Sequence, residues 1–142
     1  IIAADFNGVG ISGINPHARV LPIKVLNSAG RGSSQQLGLA VAYAVSRGAS
    51  VINLSLSGIR GDELSEKVFQ CAIKHGVQVV AAAGNENTSK ATFPAHFAGV
   101  TSVSASNFDG KKADFSNYGV RTDLAAPGQT ILSTWIKDPV FS

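Results

Sequence analysis

The sequence predicts an α/β protein: a three-layer α/β/α arrangement around a mostly parallel sheet, present in part. Apolar β-type runs alternate with amphipathic helical stretches in the order strand, helix, strand, helix, strand. The connections between them are short, which favours crossovers that return the chain parallel to itself. The third run is apolar almost without interruption, the pattern of a strand covered on both faces.

The first strand is expected over residues 20–26, although Pro22 has no N–H and costs a ladder bond unless it stands at an edge or bulge. After the loop 27–32 a helix begins, with Ser33 or Ser34 as N-cap. Leu37, Ala40, Val41, Ala44 and Val45 recur at helical spacing, and Gly48 ends the run. Residues 51–56 form the second strand. The second helix runs from Asp62, its expected N-cap, through Leu64, Val68, Cys71 and Ala72 to Gly76. Residues 77–83 are the third strand, and shorter strands are expected near 100–105 and around Leu124 and Ile131. There is no internal repeat and no low-complexity linker.

With 142 residues, 44% hydrophobic and 15% charged, the chain is one globular domain or part of one. Its net charge of +3 is mild, and the Lys and Arg residues are scattered, so a nucleic-acid interface is excluded. The lone Cys71 allows no internal disulfide or thiolate metal cluster, and its helical apolar setting reads as a core position. No apolar run approaches the roughly 20 residues that span a bilayer. The chain has no methionine and opens on Ile1-Ile2-Ala3-Ala4, so both ends read as cut from something longer. The lack of a targeting signal then carries no information.

Open parallel sheets bind ligands at the carboxyl ends of their strands. Gly30-Arg31-Gly32, Ser55-Leu56-Ser57 and Ala83-Gly84-Asn85 should therefore gather on one rim. A nucleotide site fits poorly, because a dinucleotide fingerprint needs a third glycine where Gln35 stands. The acidic partner about 20 residues on is also missing, Asp62 being the first acid after the loop. There is no Walker lysine. The stretch Ala81-Ala82-Ala83-Gly84-Asn85-Glu86 points elsewhere: small residues leave an open wall, and the Asn85 carboxamide projects at its lip. A neutral NH2 donor there suits an oxyanion without attracting ground-state anions indiscriminately.

Several segments, in order, resemble the subtilisin-like serine proteases, or subtilases. They are Gly8-Val9-Gly10-Ile11-Ser12-Gly13-Ile14-Asn15-Pro16, Ile23-Lys24-Val25-Leu26, and Val51-Ile52-Asn53-Leu54-Ser55-Leu56. After them come Val79-Val80-Ala81-Ala82-Ala83-Gly84-Asn85-Glu86, Phe115-Ser116-Asn117-Tyr118-Gly119 and Leu124-Ala125-Ala126-Pro127-Gly128. Ile131 and Ser133-Thr134 close the series, so the likeness covers nearly the whole chain.

The resemblance implies that residues 1–142 are the central part of one catalytic domain, truncated at both ends. It assigns Asn85 as the oxyanion donor of a serine endopeptidase working through an acyl-enzyme. It places extended peptide or protein substrate between Gly30-Arg31-Gly32 and Ser55-Leu56-Ser57, with Ala82-Ala83-Gly84 as the far wall of the primary specificity pocket. Ser57 departs from the glycine usual there and adds a side chain where substrate backbone passes, or turns its hydroxyl to solvent. Arg31 would favour acidic groups at outer substrate positions, or is simply solvated. The loop from Asp5 to Ile11 aligns with a structural calcium loop, ligated by the Asn7 side chain and the carbonyls of Asp5, Val9 and Ile11. Phe93-Pro94 is expected to be cis, and the family's location is secreted or extracellular.

Hydrolysis needs a hydroxyl, an imidazole and an orienting carboxylate. In the family the aspartate motif lies upstream, the histidine motif would fall just before Ile1 and the serine motif just after Ser142. His17, His75 and His96 read as surface or packing residues, so the chain alone is expected to be inert. The competing reading is a non-catalytic subtilase-like scaffold that grips extended peptide, against which retention of Asn85 argues.

Overall fold

The computed structural model describes residues 1–58 and 61–134. The chain divides into two compact units, Ile1–Pro22 with Thr130–Ser142, and Ile23–Gln129. In the larger unit the elements are α1 (Ser34–Ser46), β1 (Val51–Leu54), α2 (Glu63–Lys74), β2 (Gln78–Ala82), β3 (Thr101–Ser106) and β4 (Leu124–Pro127). The four strands form one sheet in the order β1-β2-β3-β4, every pair parallel.

Local chemistry sets both helix starts. The Ser33 hydroxyl accepts from Gln36 N at 3.1 Å while Gln36 Oε1 accepts from Ser33 N at 3.0 Å, a reciprocal capping box. Asp62 Oδ1 accepts from Ser65 N at 2.8 Å, and this bond holds the Asp62 carboxyl below the usual carboxylate range.

Ile52 and Leu54 pair with Val79 and Ala81 across β1 and β2 and point to the same face. On that face they join Leu37, Val41 and Ala44 of α1 and Phe69 and Ala72 of α2 in one apolar cluster. Both helices therefore cover the same side, and the described residues supply the sheet and one helical layer. Phe69, fully buried, packs its ring 5.0 Å from Phe97, which lies 4.9 Å from Phe93. Each such ring contributes about 1.5–3 kcal/mol of burial. No helix among the described residues is long and apolar enough to cross a membrane.

The sequence expectations need three corrections. Residues 20–26 form no strand: Ile23 and Val25 pack against the core, but this segment makes no ladder bonds to the sheet among the described residues. Pro22 supplies no N–H for such bonds, so side-chain burial is what holds the segment. The buried stripe of α2 is Ser65, Phe69 and Ala72, one position on from the stripe through Leu64, Val68 and Cys71. Leu64 and Cys71 are exposed as a result, and Cys71 is not a core residue. Residues 131–134 carry no strand around Ile131, and the sheet ends at β4.

In the smaller unit, residues 1–22 double back without regular structure. Gly13 N donates to Ala4 O at 2.8 Å, Ile14 N to Ile1 O at 2.9 Å and Asn15 N to Ile2 O at 2.9 Å. Residues 5–10 form the connecting loop.

Candidate functional site

Because β1 and β2 are adjacent and parallel, with Leu54 paired to Ala81, both strands leave the sheet at the same edge. β1 runs out into Ser55-Leu56-Ser57 and β2 into Ala83-Gly84-Asn85, as the pattern of apolar runs requires. The rim is thus built from two chain exits side by side.

The β2 exit is tightly organised around one buried side chain, Asn117, which is 3% exposed. Its Nδ2 donates to Ala83 O at 2.9 Å, Glu86 Oε2 at 2.7 Å and Thr92 Oγ1 at 3.0 Å. Its Oδ1 accepts from Glu86 N at 2.9 Å and Thr88 N at 3.2 Å, and its own N–H donates to Gly84 O at 3.0 Å. Glu86 Oε2 also accepts from Asn85 N at 3.0 Å. The turn needs glycine at position 84, where φ is +109° and a Cβ would overlap the Asn117 amide and the Glu86 carboxylate. Ala83 is buried and its N–H donates to Val103 O at 2.9 Å, so the far wall is anchored to β3. Asn85 itself is exposed, and its carboxamide makes no hydrogen bond to the described residues.

A second clamp lies alongside. Lys112 Nζ donates to Asn87 Oδ1 and Ala113 O at 2.9 Å each, and to Ser116 O at 3.2 Å. The ammonium also stands 5.3 Å from the centre of the Tyr118 ring. Ser116 Oγ donates to Asn117 O at 3.1 Å and accepts from Ala105 N at 2.8 Å, tying this loop to β3. Phe115-Ser116-Asn117-Tyr118-Gly119 stands out in the sequence as a family landmark. Nothing local in it reveals that Asn117 reaches back across 31 residues to Glu86.

The β1 exit is held far less. Asn53 Nδ2 donates to Ser55 Oγ at 3.0 Å, Leu56 packs on the core, and Gly58 N donates to Phe93 O at 3.1 Å. Ser55 is exposed and Ser57 half-buried. The Phe93-Pro94 peptide behind this exit is cis, as the resemblance implies.

Gly30-Arg31-Gly32 belongs to a self-contained turn closed by Asn27, whose Oδ1 accepts from Ala29 N and Arg31 N at 3.0 Å each. Gly32 lies so close to Val25 O that a Cβ would come within 2.5 Å of it. Arg31 is exposed and borders a shallow open cleft shared with Lys24 and Gln36.

Within the larger unit, His96 joins the Asn117 network through Thr92. His96 Nδ1 accepts from Thr92 N at 3.2 Å, His75 Nδ1 sits 2.8 Å from Cys71 O, and His17 is exposed in its turn. In the 5–11 loop, Asp5 Oδ1 accepts from Phe6 N at 2.8 Å and Asn7 Oδ1 from Val9 N at 3.0 Å. These are hard oxygen donors of the class calcium takes, each oxygen keeping a further lone pair. No group of three or more His, Cys, Asp or Glu residues that could hold a metal occurs among the described residues.

A parallel sheet with a main-chain turn held at one strand exit, beside a loosely held neighbouring exit, defines an α/β protein whose rim carries the exposed Asn85 carboxamide. The model of the subtilase family, Peptidase S8, matches residues 1–139, and the chain belongs to that family. It is 42% identical over 133 residues to the cell wall-associated protease of Bacillus subtilis, covering 94% of this chain and 15% of that protein. It is 36% identical to thermitase of Thermoactinomyces vulgaris, covering 94% of this chain and 48% of thermitase. Among solved structures, a protease from Pseudoalteromonas arctica superposes with a TM-score of 0.84 at 33% identity, over 89% of this chain and 41% of that one. A cold-adapted subtilisin-like serine proteinase superposes with a TM-score of 0.79 at 29% identity, over 84% of this chain and 44% of that one. The chain therefore spans less than half of thermitase and of both solved proteases.

Proposed function

We propose that this chain is the central part of a serine endopeptidase domain. It supplies the oxyanion donor Asn85 and the substrate-binding edges, while the Asp, His and Ser of the triad lie outside it. The observation that carries this reading is the Asn85 carboxamide, without a partner among the described residues, standing on a main-chain turn immobilised on both sides. A donor meant for a charge that exists only in the transition state must be fixed in place and free of ground-state partners.

In the intact protease, the serine hydroxyl attacks the scissile carbonyl and the imidazole takes its proton. The carbonyl oxygen then carries the negative charge, and Asn85 Nδ2–H donates to it. Extended peptide lies between Gly30-Arg31-Gly32 and Ser55-Leu56-Ser57; on the first side the Asn27 turn already takes the Gly30 and Arg31 N–H groups and Arg31 O, so pairing there falls to Gly30 O and Gly32. The small Ala82, Ala83 and Gly84 leave room for a large apolar substrate residue. Calcium at the 5–11 loop, held by Asn7 Oδ1 and the carbonyls of Asp5, Val9 and Ile11, is the lesser part of this reading. A chelator should then lower the thermal midpoint of the intact protein, and an unchanged midpoint would overturn it. A secreted or extracellular location completes this reading, supported by the family resemblance.

The deciding experiment is Asn85→Ala in the intact protein, assayed on a peptide p-nitroanilide. In subtilisin, the reference case for such a donor, its loss costs about 10²–10³-fold in kcat. The same scale is expected here with KM little changed; a raised KM at unchanged kcat would make Asn85 a binding-wall residue instead. An intact protein that a serine-directed fluorophosphonate does not label would be a peptide-gripping scaffold, and the protease reading would fall.

A further inference from the structure

We infer that Asn117 and Glu86 are positioning residues for the oxyanion donor, acting on Asn85 through its backbone. The inference rests on the reading of Asn85 as that donor. Four main-chain polar groups flanking the Asn85 side chain are held by these two residues. Ala83 O and Gly84 O accept from Asn117, Glu86 N donates to Asn117 Oδ1, and Asn85 N donates to Glu86 Oε2. The Glu86 carboxylate and the Asn117 amide are themselves joined at 2.7 Å, which closes the ring.

A carboxylate beside an oxyanion site opposes the developing charge, and donors aimed at it offset part of that cost. Here Oε2 is engaged twice, by Asn117 Nδ2 and Asn85 N, in charge-assisted bonds that are also the strongest available to this turn. Asn117 can serve as the hub because its carboxamide offers donors and an acceptor at once, and its burial leaves no water to compete. Lys112 holds the next step on either side, joining Asn87 to the carbonyls of Ala113 and Ser116. Asn85 is consequently the only residue between Ala83 and Asn87 whose side chain is small, polar and uncommitted among the described residues.

A double-mutant cycle in the intact protein tests this on the peptide p-nitroanilide. Asn117→Ala should lower kcat about tenfold with KM within about twofold, because an ångström-scale displacement of a catalytic donor acts on the chemical step. In the Asn85→Ala background the same substitution should change kcat by less than about twofold, there being no donor left to position. Equal losses in both backgrounds would overturn the inference while leaving Asn85 as the donor. An Asn85→Ala protein with unchanged kcat would overturn both readings together. If Asn117→Ala does not fold, Glu86→Ala carries the same test, since Glu86 is exposed and its loss leaves no buried gap. Its kcat loss should likewise vanish in the Asn85→Ala background, and equal losses there would overturn the inference.

Discussion

The two strand exits that form the rim are neighbours in the sheet and opposites in their bonding. After β2, residues 83–88 are gripped by Asn117 and Glu86 through six hydrogen bonds between 2.7 and 3.2 Å. After β1, residues 55–58 are tied, among the described residues, by one side-chain bond from Asn53 and one main-chain bond to Phe93. The difference follows from what each exit does in the proposed reaction. An oxyanion donor gains from being immobilised before the charge appears, since no reorganisation is then needed as the barrier is crossed. An edge that receives substrate as an added strand must keep its N–H and C=O groups unpaired until the peptide arrives. One fold therefore leaves one strand exit nearly saturated and its neighbour nearly bare.

The sharpest way to break that contrast is to loosen the saturated exit, and Gly84→Ala has the largest expected effect on it. At φ +109° an alanine carries backbone strain of about 1–3 kcal/mol, and its Cβ displaces the Asn117 amide and the Glu86 carboxylate as well. Denaturant unfolding of the intact protein should show a loss at least that large, and kcat should drop about as far as it does in Asn85→Ala. An alanine variant with wild-type stability and turnover would mean that the grip on residues 83–88 contributes nothing.

The contrast also marks where the sequence was legible. Ser33 and Asp62 were readable as caps because a cap is settled within three residues of chain. Asn85 and Ser55-Leu56-Ser57 were readable as rim residues because a parallel sheet delivers strand ends to a common edge. Asn117 was not, since its partners stand 25 to 34 residues away and nothing local marks the pairing. The phase of α2 was misread for a related reason. Ser65 is buried because its hydroxyl donates to Asp62 Oδ2 at 3.1 Å, so a polar residue occupies a core position that hydrophobic periodicity gives to its neighbours. Residues 20–26 have the composition of a strand, but strand pairing also needs backbone donors, and Pro22 removes one.

Asp62, which caps α2, gives the smallest expected effect. The Ser65 N–H holds the carboxyl below its ordinary value of 3.8, so the cap stabilises the fold above that value. The contribution is lost as pH falls through the depressed folded-state pKa, because the unfolded chain takes up the proton first. Unfolding free energy of the intact protein, followed from about pH 5 to pH 3, should therefore fall more steeply than in Asp62→Asn. The asparagine keeps the Oδ1 acceptor for Ser65 N but cannot titrate, so the two curves should converge towards acid and separate above pH 4 or so. Parallel curves would show that the Asp62 charge adds nothing beyond the cap geometry.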